Sequence, residues 1–365
     1  MRRKWMLFGG LALLWIMGSD VFPSHSLEES VFLSDDAYHY RDFADGQHDR
    51  NYIEWWYFNL YDTVQDIQTI FGYSIIDPED YSGLGQAIVG AVAYTAEGIV
   101  SESDTFSTES FSASYEQADV EIEANAIEVI DHDTYRIVGS IGGGRLSWDL
   151  TYVRQANSWF GGDREEVGLF PWEQMSWLIY MPGAEVSGEV KVDGQSYTLR
   201  AVRGYHDHNW GEWIPSNALW NWAQYFEPGL ALEMGDFINR PAGIMSVEFQ
   251  GKRATFLKDQ YHLIHTRWTV EEEDCDLFPI KTWLYAENDS NRVLLSMKAY
   301  ETEALQMDTP LPLPDVVIHE QTAHYEGLIW EKNSLGQWEL LVSFSGDGFK
   351  EYTSRKWDSS RGLAP

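Results

Sequence analysis

From Tyr52 onward the chain runs in short stretches of β-branched and aromatic residues cut by Gly, Asp, Asn and Pro, and few windows carry a helical period. A period of two places alternate side chains on opposite faces of a sheet, so the fold class predicted is all-β. Strands are predicted at 53–61, 69–76, 87–95, 135–141, 145–153, 175–181 and 197–202, then at 220–226, 230–237, 243–249, 253–257, 281–286, 293–300, 316–330 and 338–344. Asp193-Gly194 and Gly142-Gly143-Gly144 supply the permissive backbone of two hairpin turns. Gly346 to Trp357 reads as a short closing helix over a barrel mouth.

At 365 residues and 44% hydrophobic content, the chain can fill two domains of roughly 100–200 residues each. Ile214-Pro215-Ser216-Asn217 interrupts strand pairing and is the predicted hinge, giving domains 29–213 and 214–365, each a β-barrel or sandwich. Residues 1–28 carry Arg2-Arg3-Lys4 and an apolar stretch, Trp5 to Met17, of signal-peptide length. Export to the periplasm or medium is the expectation, with an uncleaved membrane anchor as the alternative, since no small-x-small cleavage pattern follows Gly18.

The 58 acidic against 25 basic side chains leave a net charge of -33, which repels nucleic acid and anionic membrane surfaces. Cys275 is the single cysteine, so no intrachain disulfide can form and no clustered-cysteine zinc site exists. Its acidic neighbours Glu271 to Asp274 argue against a thiolate nucleophile.

Two segments stand out chemically. In Glu54-Trp55-Trp56-Tyr57-Phe58, strand geometry sends Glu54, Trp56 and Phe58 to one face and Trp55 and Tyr57 to the other. An inward Glu54 needs a partner, and Arg203 is the candidate for a structural, pKa-tuning pair. The second segment, Arg203 to Trp213, ends a strand with the polar run His206-Asp207-His208-Asn209 before Trp210. Consecutive polar groups in a strand need partners, which favours a cavity or an interface.

His206 and His208 project together and could ligate zinc, but His262, His265, His319 and His324 show no spacing that links them as further ligands, so no metal is expected. An acid within an aromatic cage fits better: a carboxylic acid or imidazolium delivers a proton and indole faces stabilise the cation. There is no G-x-S-x-G elbow and no P-loop.

Glu54-Trp55-Trp56-Tyr57, Gly204 to Gly211 and Trp220-Asn221-Trp222 together resemble the carotenoid hydratases of the hydroxyneurosporene-synthase type and the related AttH-like proteins. The resemblance spans about residues 45–355 and implies two lipocalin-like domains with a pocket at or near their interface. It also implies cofactor-free addition of water to an isoprenoid double bond through a tertiary cation. In that family a His-x-Trp element, here His208-Asn209-Trp210, works with a downstream Tyr-x-Asp, whose counterpart is Met234-Gly235-Asp236. Met234 departs from the tyrosine, which puts a carotenoid substrate in doubt.

The expectation is therefore a cofactor-independent hydro-lyase acting on an apolar small molecule. Asp236 or Asp207 donates the proton, His208 positions water, and Trp210 and Trp222 shield the cation, with Trp56, Tyr57, Tyr205, His206 and Trp220 lining the substrate site. The competing reading is an exported, non-catalytic carrier of hydrophobic ligands, associated with an export or ABC-transporter system. A hydrolase or pericyclase on the same fold is a third.

Overall fold

A computed structural model describes residues 31–44, 51–161, 167–170, 173–270, 277–307 and 313–356. The N-terminal leader and Cys275 with its acidic run lie outside these residues.

The first sheet contains β1 (Tyr52–Asp62), β2 (Ile67–Ile76), β3 (Gln86–Thr95), β4 (Gly98–Phe106), β5 (Phe111–Ala113), β6 (Val120–Ile122) and β7 (Asn125–Asp131). It continues with β8 (Thr134–Ile141), β9 (Leu146–Arg154), β10 (Trp159–Phe160), β11 (Val167–Phe170), β12 (Glu173–Val192) and β13 (Gln195–Glu212). The second contains β14 (Trp220–Glu227), β15 (Leu230–Phe237), β16 (Gly243–Phe249), β17 (Lys252–Leu257), β18 (Tyr261–Val270), β19 (Leu277–Glu287), β20 (Asn291–Met307), β21 (Asp315–Lys332) and β22 (Trp338–Lys356). Both sheets are antiparallel and curled, in the orders β4-β3-β2-β1-β13-β12-β9-β8-β7-β6-β5 and β17-β16-β15-β14-β22-β21-β20-β19-β18. The all-β reading holds, and the short turn Pro215–Asn217 carries the chain from one sheet to the other.

Local chemistry explains the turns. Asp193 and Gly194 both take positive φ (48° and 85°) between the paired residues Val192 and Gln195, the geometry a two-residue hairpin needs. The expected closing helix is absent. Residues 346–356 continue β22, paired with β21 as far as Lys356. Their alternation, Phe349 and Glu351 toward one face and Lys350 and Tyr352 toward the other, is a strand period, and the glycines at 346 and 348 only mimic a helix boundary.

Each sheet encloses its own core. Trp56, Phe58, Tyr73, Trp148 and Tyr152 fill the first, and Tyr225, Leu232, Met234, Phe256 and Tyr325 the second. A third apolar cluster joins them: Tyr57, Ile179 and Tyr205 from the first sheet pack with Trp222 and Phe349 from the second. Strand β1 is thus covered on both faces, one by its own barrel and one by the neighbouring domain. Hydrogen bonds cross the same interface, from Tyr94 Oη to the Glu320 carbonyl (3.0 Å) and from Tyr61 Oη to Asp347 (2.5 Å).

Candidate functional site

Register sorts the two motifs into two environments. Strands β1 and β13 pair antiparallel with Glu54 opposite Trp210, Trp56 opposite His208 and Phe58 opposite His206, all facing the interior of the first barrel. Trp55 opposite Asn209, and Tyr57 opposite Asp207, face the second domain.

The inward set is a closed ionic network. Glu54 accepts hydrogen bonds from His208 Nε2 (2.8 Å), the backbone N–H of His39 (3.1 Å) and the Tyr52 hydroxyl. His208 Nδ1 lies 3.2 Å from Asp36 Oδ1, and His206 bridges the other Asp36 oxygen (3.0 Å) and the Tyr57 carbonyl (2.9 Å). Burial opposes charge here, but the imidazoles hold Asp36 far below the usual carboxylate range and also keep Glu54 low, while the two carboxylates raise His208 despite its burial. His208 is therefore clamped between two carboxylates that favour its protonated form. Trp210 stacks on His39 at 3.9 Å and Trp56 on His208 at 4.5 Å, which closes the cluster.

Glu54 does not pair with Arg203, as the sequence suggested. Arg203 leans over the Tyr61 ring at 4.6 Å and donates to the Phe226 carbonyl, because it projects from the outward face of β13. His39, Glu54 and His208 carry ligand-type atoms within 4.8 Å of one another, the spacing a metal ion needs, although Glu54 and His208 already satisfy each other directly.

The outward set borders a cavity of about 1020 Å³ between the domains. Trp55, Tyr57, Trp177, Trp220 and Trp222 form much of its aromatic wall, with Glu102, Asp207, Asp236, Glu320 and Glu351 as its acids. Of the residues picked out from sequence, the structure brings Tyr57, Asp207, Trp220, Trp222 and Asp236 to this cavity. It sets Trp56, His206, His208 and Trp210 behind the sheet, inside the first barrel, where they cannot reach a ligand bound between the domains. Tyr205 sits beneath the wall and donates its hydroxyl to Asp207.

Asp207 accepts from Trp177 Nε1 and Tyr205 Oη, each at 2.8 Å. Burial outweighs both bonds and pushes its carboxyl up to about 7. Asp236 is held differently, by Lys258 in an ion pair, by Tyr261 Oη (2.8 Å) and by Asn221 Nδ2 (3.2 Å). All three partners donate, so Asp236 is arranged as an acceptor.

Glu320 and Glu351 escaped the sequence reading. They face each other directly across β21 and β22, with Trp220 Nε1 donating to Glu351 at 2.7 Å. Burial, and for Glu320 the repulsion of its neighbour, raises both. The available signal was the one that marked Glu54, a carboxylate inside an apolar strand run, but Glu351 fell in the stretch read as a helix.

The sequence matches no protein-family profile and no curated protein. Solved structures do match. A protein assigned as an AttH from Nitrosomonas europaea superposes with a TM-score of 0.66 at 14% identity, over 92% of this chain and 98% of that one. Kievitone hydratase from Nectria haematococca gives 0.59 at 15%, over 84% and 90%. CghA, solved with Sch210972, gives 0.57 at 12%, over 84% and 89%. Identities this low speak for architecture alone: the chain has the two-domain, lipocalin-like all-β fold shared by the AttH protein, a hydratase and CghA.

Proposed function

We propose that the protein is a cofactor-independent, hydratase-like lyase that adds water to an alkene in a large apolar molecule, an isoprenoid being the leading class. The observation that carries this reading is Asp207, a buried carboxyl pushed up to about 7 on the wall of an aromatic cavity. A group of that acidity holds a proton at neutral pH and can still release it, as general-acid catalysis requires. Trp177 and Tyr205 fix its orientation and stabilise the carboxylate left behind. Protonation of the alkene leaves a cation facing the indoles of Trp220 and Trp222, whose ring quadrupoles favour positive charge. Asp236, tied to Lys258, serves to shape the wall and position water rather than to donate. The hydratase on the same fold adds weight to the reaction class.

The test is incubation of purified protein with lycopene-type and smaller prenylated substrates in isotopically labelled water. Label should enter the product, and Asp207→Asn should lower turnover by roughly 10²-fold or more. No incorporation with any of them counts against the lyase.

A carrier of apolar ligands is the second reading, favoured by the volume and aromatic lining of the cavity. A carrier retains its ligand unmodified and tolerates Asp207→Asn. The basic, then apolar, N-terminus supports export in either case. In the carrier reading, association with an export or ABC-transporter system follows.

A further inference from the structure

Glu320 and Glu351 stand directly opposite each other on β21 and β22 and both line the cavity, and two ionised carboxylates side by side out of water repel, so the pair calls for at least one proton. With one proton held, the pair carries one net negative charge. Among the described residues no lysine, arginine or histidine pairs with either glutamate, whereas Asp36, Glu54 and Asp236 all have such partners. Trp220 donates to Glu351, and the phenol of Tyr57 lies within the electrostatic reach of both carboxyls. A buried charge without a counter-ion is costly unless something else supplies the opposite charge. Here it sits on the wall of an otherwise aromatic cavity.

We propose that Glu320 and Glu351, with Trp220 and Trp222, form the cation-binding subsite of the cavity, a site for a lipophilic organic cation. This rests on the hydratase-like reading and gives it a second half. The alkene π pair takes the proton of Asp207 to form a C–H bond and leaves an empty orbital on the neighbouring carbon. The single negative charge of the pair balances that cation. Water then attacks through an oxygen lone pair to form the C–O bond, and the proton it sheds passes to the anionic member of the pair. The pair becomes neutral, Asp207 is left ionised, and return of the proton from the pair to Asp207 restores the starting state with one water added.

A stable ammonium ion mimics the charge without needing turnover. Binding of dodecyltrimethylammonium, below its micellar concentration, is compared with that of neutral dodecanol on the full chain, followed by tryptophan fluorescence. Salt at 150 mM screens attraction to the acidic surface. The wild type should prefer the cation by about tenfold or more. The double variant Glu320→Gln with Glu351→Gln keeps both hydrogen-bonding side chains while removing the charge, which either single variant would leave on the remaining carboxylate, and it should bring the preference close to unity with dodecanol affinity unchanged, which also shows that the variant is folded. Equal affinity of the wild type for both probes, or a preference that survives both substitutions, overturns the subsite and leaves the apolar cavity standing. Binding of neither probe overturns the cavity reading itself, and the subsite with it.

Discussion

Asp207 and His208 are neighbours in sequence and opposites in environment. Asp207 faces the cavity with its carboxyl raised to about 7, so the folded state keeps a proton that the unfolded chain, near 3.8, gives up. Its contribution to stability is therefore complete below about pH 4 and is lost as pH rises toward 7. Asp207→Asn should remove this part of the decline, a difference on the order of a few kcal/mol at pH 7, read from melting temperature against pH. His208 runs in the same direction for a different reason: raised by Asp36 and Glu54, it stabilises below its ordinary value near 6.5 and fades as pH climbs through its folded value. Asp36 and Glu54, both lowered, contribute above their ordinary range and lose that contribution on acidification. His208→Ala removes the imidazole shared by two buried carboxylates, leaving Asp36 to His206 and Glu54 to His39 and Tyr52, and should cost about 3–5 kcal/mol in urea unfolding, with dodecanol binding retained if the residue acts only through the barrel.

At the scale of the strand, sequence was informative about what repeats and silent about what meets. The period of two in Glu54 to Phe58 and the Asp193-Gly194 turn gave strand, face and hairpin directly. Which face looked into a barrel and which toward a second domain was not legible, because both are apolar and both are covered in β1. Glu54 could be read as needing a partner, but His39 and Asp36 come from a distant, irregular stretch that no local pattern ties to it. Glu351 was lost because it fell in the stretch from Gly346 to Trp357 that reads as a short closing helix. Gly211 shows a constraint only backbone geometry reveals. Its φ is 148°, and a Cβ there would lie 2.2 Å from the Gln174 carbonyl oxygen of β12. Gly211→Ala should cost roughly 2–4 kcal/mol, measurable by chemical denaturation.

Taken as a whole molecule, the two domains are joined by an aromatic cluster and by hydrogen bonds such as Tyr94 to Glu320, with the cavity in the same seam. A ligand there touches both domains and should stabilise them together. At a free concentration of 100 times its dissociation constant, a cavity ligand should add about 2.7 kcal/mol and raise a single melting transition without splitting it, as scanning calorimetry can check. The alignment of β1 on β13 then acquires a meaning beyond hydrophobic pattern. A slip of one residue would turn every side chain of β1 to the other side, carrying Glu54 out to the seam and Tyr57 into the ionic network. Such a slip exchanges an anion held by His208 for a phenol that cannot replace it, so the proton inventory of the barrel, as well as its oily packing, keeps these strands in step.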